Sequence, residues 1–132
     1  MNIFVDTSAF YALLDADDQN HAQAKEAWVK WVHVDCSFHC SNYILLESIA
    51  LIQRRLGVAA VRRFQEDIIP LCHAHWIGPE LHAAATSALL AANRRQISIV
   101  DYTSFELARR LGIRVVFTFD QHFADQGFKI SP

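Results

Sequence analysis

The chain has 132 residues, 52% of them hydrophobic, with only four Gly and three Pro. That composition predicts one domain over residues 1–132, long enough to bury about two-thirds of the surface its unfolded chain exposes, and excludes a disordered chain. The formal net charge of −2 supplies no global positive field, so any contact with nucleic acid must come from local charge.

Three cysteines, an odd number, make no disulfide framework and point to a reducing cytoplasm. No stretch approaches about 18 consecutive apolar residues, so no membrane span is expected. The N-terminus lacks the basic and apolar regions of a signal peptide.

The first element is NIFVDTSAF, Asn2–Phe10. Ile3-Phe4-Val5 reads as a strand buried on both faces, central in a parallel sheet. Ligands of such sheets sit beyond the carboxyl ends of the strands, where Asp6 stands. Asp6 also suits the N-cap of a following helix, Ser8–Leu14. A polar loop, Asp15–Asn20, carries turn and cap residues. The next helix runs from about His21 to Val32, with Ala24, Ala27, Trp28 and Trp31 as a core-facing stripe or, given two Trp, a subunit-contact face.

Val34–Cys40 is a candidate second strand. Ser41 or Asn42 caps a helix ending at Leu56 before Gly57. That helix is apolar almost all round and is therefore expected to be buried. Glu47 is the only charged residue between Asp35 and Arg54. A carboxylate there is costly unless it is paired, bound to a metal or turned to solvent.

An amphipathic helix over Val58–Ile69, a strand over Leu71–Ile77 and a helix over Pro79–Arg95 follow. The small-residue face of the last, Leu81, Ala84, Ala85, Ala88, Leu89 and Ala92, is expected to pack closely. Thr103 to Glu106 has the form of a capping box. It starts a helix that Gly112 ends and leaves Asp101 two residues before the cap. Val115–Phe119 is a second doubly buried strand, ending in Asp120. A helical turn, Gln121–Asp125, and a strand, Phe128–Ser131, complete the chain. Helices alternating with short apolar runs predict an α/β domain with a mostly parallel sheet.

If Asp6, Glu47, Asp101 and Asp120 converge at the carboxyl edge of the sheet, they form a cluster of hard oxygen ligands. Clustered carboxylates raise one another's pKa, which a divalent cation offsets. Oxygen-only ligation selects Mg²⁺ or Mn²⁺. Cys36, His39, Cys40, Cys72, His73 and His75 can be drawn as a zinc site, but no CxxC pair exists and strand side chains alternate between faces. The arginine doublets Arg54-Arg55, Arg62-Arg63, Arg94-Arg95 and Arg109-Arg110 suit helix C-termini or RNA phosphates.

The ordered set of Asp6 in VDTSAF, Glu47 in ILLESIA, Asp101 in SIVDYTSFELARRLGI and Asp120 in VFTFDQHF resembles the PIN-domain nucleases, in particular the VapC-type toxins of toxin–antitoxin pairs. The resemblance covers essentially the whole chain. It implies a three-layer α/β/α sandwich and a Mg²⁺- or Mn²⁺-dependent endoribonuclease acting through metal-activated water. It further implies that Asp6, Glu47, Asp101 and Asp120 are the catalytic and metal-holding acids, supported by Thr7, Ser8 and Thr118. Asp6 and Asp101 would be the primary ligands. The implied partners are an RNA substrate, a cognate antitoxin and a second copy of the chain. The other readings are an RNA-processing nuclease that is not a toxin, a binding module without metal, and a phosphotransfer domain with Asp6 as acceptor. The last lacks the second Asp that haloacid-dehalogenase-like enzymes need, since that position is Ser8.

Overall fold

Five short strands take up the apolar runs: β1 (Asn2–Val5), β2 (Ser37–Ser41), β3 (Cys72–His75), β4 (Val115–Phe117) and β5 (Lys129–Ser131). In the computed structural model, which describes residues 1–132, they pair in the order β3-β2-β1-β4-β5. Every pairing is parallel, so the sheet expected to be mostly parallel is wholly so. Seven helices surround it: α1 (Thr7–Leu14), α2 (His21–His33), α3 (Asn42–Leu56), α4 (Val58–Arg63), α5 (Pro79–Ala92), α6 (Ile99–Arg110) and α7 (His122–Asp125). Ile3, Phe4 and Val5 of β1 are fully buried, as the unbroken apolar run requires of a central strand with both faces covered.

The topology positions the site. From β1 the chain steps outward to β2 and β3, then returns to the other side of β1 for β4 and β5. The connections leaving β1 and β4 therefore diverge at their carboxyl ends, and a crevice opens at that switch point.

Several elements depart from the sequence pattern. Trp28 stacks on Phe38 with ring centroids 4.2 Å apart, and Trp31 meets Phe117 edge-on at 5.0 Å. Both tryptophans are core, which removes the subunit-contact alternative for that stripe. The exposed tryptophan is Trp76, at 78%. Helix α3 is not buried all round. It sinks Ile44, Ser48 and Ile52, while Leu46 is 71% exposed. Leu45, Leu46, Ile49, Ile69 and Trp76 line an apolar hollow of about 470 Å³. Periodicity reports which faces are apolar, not what lies over them.

The second strand begins at Ser37 rather than Val34, because Asp35 takes a positive φ of 56°, a conformation Asp tolerates, to turn the chain out of α2. The helix expected over Val58–Ile69 is α-helical only to Arg63. It widens into a π turn over Phe64–Ile68 and tightens to a 3₁₀ turn at Ile69–Leu71, where Pro70 can supply no helical N–H. Helix α5 stops at Ala92, because Asn93 adopts the left-handed conformation that ends helices. Only the first half of its small-residue face, Leu81 and Ala85, is buried. No helix is long and apolar enough to cross a membrane.

Truncating Trp28 to Ala removes a stacked core ring and is expected to cost about 3–5 kcal/mol. Trp76→Ala is expected to stay within about 0.5 kcal/mol. Urea denaturation of both variants checks the assignment; equal losses would contradict it.

Candidate active site

Asp6 follows β1 and occupies the N-cap position of α1, but its side chain makes no cap bond. Its Oδ2 instead accepts from Ser8 Oγ and from Thr118 Oγ1, each at 2.9 Å. Each hydroxyl has one proton and spends it on Asp6, so the 3.1 Å approach between the two hydroxyl oxygens is a contact rather than a third bond. The hydroxyls accept in turn: Phe119 N–H donates to Ser8 Oγ and Asp120 N–H to Thr118 Oγ1, both at 3.0 Å. These bonds take the N–H groups that would have extended the ladder, so β4 ends at Phe117 rather than Phe119. Asp120 lies in the turn beyond it, where its Oδ1 accepts from His122 N–H at 2.9 Å.

Asp101 is inside a helix rather than ahead of one. Ser98 is the N-cap of α6: Asp101 N–H donates to Ser98 Oγ at 3.1 Å, and Ser98 N–H to Asp101 Oδ2 at 3.0 Å. Ser98-x-x-Asp101 is itself a capping box, and it prevails over Thr103-x-x-Glu106. The earlier start gives α6 another turn and buries Tyr102, Thr103, Ser104 and Phe105. Thr103 Oγ1 donates to Ile99 O at 2.7 Å, a bond made within the helix.

Glu47 is half-buried on α3. The next residue, Ser48, donates to Thr7 Oγ1 at 3.3 Å, tying α3 to the start of α1. Asp6, Glu47, Asp101 and Asp120 all line one cavity of about 380 Å³, together with Thr7 and Ser8. Thr118 stands behind it, buried. The structure thus gathers all four acids that the sequence picks out. It adds Tyr11, Asp18, Asn20, Leu51, Arg55 and Ser98 to the lining. Asp18 and Asn20 read as turn chemistry in the sequence, and they do form a turn, Asn20 N–H donating to Asp18 Oδ1 at 2.8 Å. Nothing local marks them as facing the acids.

The three aspartates share one arrangement. Asp6 Oδ2, Asp101 Oδ2 and Asp120 Oδ1 are each held by protein donors, and the second oxygen of each accepts no bond from the protein. One oxygen orients the carboxylate and the other remains for a ligand. The donors facing the cavity are oxygens, with no sulfur or imidazole among them, a set that fits a hard divalent cation. No three of the acids surround a common point at direct coordination distance.

Electrostatics agree with this fit. Burial holds the Asp6 carboxyl up at about 6, the Ser8 and Thr118 hydroxyls pulling it down while the charges of Asp101 and Asp120 push it further up. Burial also raises Asp101, against the pull of the Ser98 backbone N–H and with a push from Asp120.

The cysteine and histidine residues at β2 and β3 lie outside this cavity. Phe38 pairs with Cys72 and His39 with His73, so Cys40 and Cys72 share the core face while His39, His73 and His75 gather on the other. His39 Nδ1 lies 2.9 Å from His75 Nε2. Burial pushes the Cys40 thiol up to about 12.

A family model described as PIN domain matches residues 3–129. The 23S rRNA-specific endonuclease VapC20 of Mycobacterium tuberculosis is 35% identical over 127 residues, covering 96% of this chain and 95% of that protein. The crystal structure of M. tuberculosis VapC20, described as a sarcin–ricin loop cleaving toxin, superposes with a TM-score of 0.88 at 32% identity, covering 98% and 99% of the two chains. FitAcB from Neisseria gonorrhoeae shares the fold at a TM-score of 0.69 and 15% identity, over 98% of this chain and 96% of that one.

The raised Asp6 carboxyl makes metal-free stability depend on pH. The folded value near 6 lies above the unfolded value of about 3.9, so the folded state holds a proton that the unfolded chain releases. Stability from this group is full below about pH 4 and is lost as pH rises through about 6, on the order of 3 kcal/mol. Asp6→Asn should remove that slope. Urea denaturation of both proteins in chelator at pH 4 to 7 checks this; parallel pH profiles would overturn it.

Proposed function

The chain belongs to the PIN-domain family, and we propose that it is the toxin of a toxin–antitoxin pair, an endoribonuclease that hydrolyses RNA phosphodiesters in the acid-lined cavity. The observation that carries the site is the gathering of Asp6, Glu47, Asp101 and Asp120 around one cavity, with one free oxygen on each aspartate. The similarity to VapC20 over nearly the whole chain favours 23S rRNA as the substrate and its sarcin–ricin loop as the place of cutting. The whole chain serves as one nuclease domain, acting in the cytoplasm where that RNA resides.

Asp6 and Asp101 are the principal holders of Mg²⁺ or Mn²⁺, and Glu47 and Asp120 complete the acidic wall. A divalent cation bound there supplies Lewis-acid stabilisation of the phosphoryl charge and lowers the pKa of water. The protein's own part is orientation. Ser8 and Thr118 fix the Asp6 carboxylate, the backbone of Ser98 fixes Asp101, and the His122 N–H fixes Asp120. Thr7 anchors the start of α1 to α3 through Ser48, which holds the β1 end of the cavity against the Glu47 side. Because the free oxygens are aimed before substrate arrives, little reorganisation is needed at the moment of reaction.

The antitoxin is expected to cover apolar surface near the cavity and to place a basic side chain beside the acids. Arg suits that role because it pairs bidentately with carboxylates. Buried as they are, Trp28 and Trp31 cannot provide the apolar surface. Leu46 and Trp76 can, and Leu46 adjoins Glu47 in the chain. Homodimerisation belongs to the same proposal.

Asp6→Asn and Asp101→Asn are expected to abolish cleavage while the fold persists. Asn keeps an acceptor oxygen for the bonds that Asp6 and Asp101 now receive, so only the charge is lost. Sequencing RNA 5′ ends after induced expression should show cuts at the sarcin–ricin loop with the parent protein and none with either variant. Mg²⁺ or Mn²⁺ at about 100 times Kd should raise the stability of the metal-free protein by roughly 2.7 kcal/mol. Wild-type cutting by purified Asp101→Asn, or a melting temperature indifferent to millimolar Mn²⁺, would overturn the site assignment.

For the partner, a saturating and demonstrably bound antitoxin should suppress cleavage. Leu46→Glu should weaken that inhibition without changing the melting temperature. Sedimentation of the free protein at micromolar concentration should show a dimer. Undiminished cutting with the partner bound would overturn the first expectation, and a strict monomer the last.

A further inference from the structure

RNA is a polyanion, yet the cavity assigned to it is lined by five carboxylate residues, Asp6, Asp18, Glu47, Asp101 and Asp120. A bound cation addresses the reacting phosphate only. The flanking backbone needs a positive group of its own, and the cavity lining contains one Lys or Arg, namely Arg55.

None of the other doublet arginines lines the cavity; Arg63, Arg94 and Arg95 are exposed, and most of the rest are engaged elsewhere. Arg110 pairs with Glu80 and Glu106. Arg109 donates to Gln126 and lies over the Phe128 ring. Arg62 approaches Glu66. Arg54 shares the last turn of α3 with Arg55, where the helix dipole favours any cation, but it does not line the cavity. The dipole explains why a cation stands at this helix end. It does not explain why one of the two faces the acids.

Arg55 makes no ion pair with any of those carboxylates. Its guanidinium carbon lies 5.3 Å from the centre of the Tyr11 ring, a cation–π arrangement. Tyr11 is itself fixed, its hydroxyl donating to Asp15 Oδ2 at 2.6 Å, and Asp15 also accepts from Asp17 N–H at 3.0 Å. The guanidinium is thus held on the ring, close enough to the Tyr11 hydroxyl and the Asp15 carboxylate to favour their ionised forms, and it lines the cavity without pairing with the acids there. Glu47, Leu51 and Arg55 recur every four residues and share one face of α3. Arg55 therefore stands two turns, roughly 12 Å, beyond Glu47 along the helix, at the far end of the cavity wall that this face supplies.

We propose that Arg55, stacked on Tyr11, is the RNA-backbone anchor of this cavity, binding a phosphate that flanks the scissile one. The proposal rests on the nuclease reading above. A contact made equally in ground and transition states raises KM when lost and leaves kcat in place.

The test uses Arg55→Met, which keeps an apolar stem over the Tyr11 ring and removes the charge, and Arg55→Lys, which restores it. Binding of a sarcin–ricin loop hairpin RNA is measured across a salt series in the cleavage-dead Asp101→Asn protein. Arg55→Met is expected to weaken binding roughly tenfold and to make the slope of log affinity against log salt shallower by about 0.7–0.9. Arg55→Lys should recover the slope. Arg62→Ala, which removes the same charge outside the cavity, should leave the slope as it was. In the cleaving protein, Arg55→Met should raise KM about tenfold and change kcat less than twofold. Unchanged affinity and slope in a folded Arg55→Met protein would overturn the anchor alone. Failure of the Asp101→Asn parent to bind the hairpin, or of the wild type to cut it, would overturn the nuclease reading for this RNA and the anchor with it.

Discussion

The site depends on the clasp at Asp6 Oδ2. Two hydroxyls, one from the helix after β1 and one from the turn after β4, donate to a single carboxylate oxygen at 2.9 Å. Those two strands are neighbours whose connections diverge, so without a link their ends would simply open a gap. The clasp joins them through a charged acceptor, and bonds to charge are the stronger kind. It also terminates β4 by engaging the N–H groups of Phe119 and Asp120, which sets where Asp120 stands. One set of four bonds therefore closes the sheet at its switch point, aims the first acid and places the fourth.

That arrangement is held against a cost. A carboxylate as buried as Asp6, with Asp101 and Asp120 nearby, resists ionisation. In a chain selected for stability alone, an apolar residue would serve better at the end of β1. The two hydroxyl donors offset part of the penalty without neutralising the charge. A cation held as proposed would relieve the remainder, and the free energy withheld from the metal-free fold would reappear as affinity for it.

Much of this was legible in the sequence, for physical reasons that differ from residue to residue. Asp6 and Asp120 stood out because each follows an apolar run too continuous for a half-exposed strand. Glu47 stood out because it is alone among apolar neighbours. Asp101, picked out by the same reasoning, does line the cavity, but its local setting differs from the sequence reading. Two capping boxes overlap there, and the choice between them is made by the burial of Tyr102 and Phe105, which local pattern does not record. Arg55, Tyr11 and Asp18 were not legible as site residues. Each is explained locally by a helix end, a helix interior or a turn, and only the way α1 crosses α3 brings them onto the cavity.

Helix α3 shows how far periodicity carries and where it stops. An apolar helix ordinarily means a buried one, yet this helix divides its surface three ways. Ile44, Ser48 and Ile52 enter the core. Glu47, Leu51 and Arg55 face the acid cavity. Leu45, Leu46 and Ile49 open onto the apolar hollow beside Trp76. The second face lines the acid cavity, and the third is costly to leave in water, since an exposed apolar hollow is characteristic of an interaction surface. Both faces belong to one rigid element, so anything that settles on Leu46 sits within one residue of Glu47. The hollow that would take the proposed inhibitor and the wall of the acid cavity are two sides of the same helix, and a single partner can reach both.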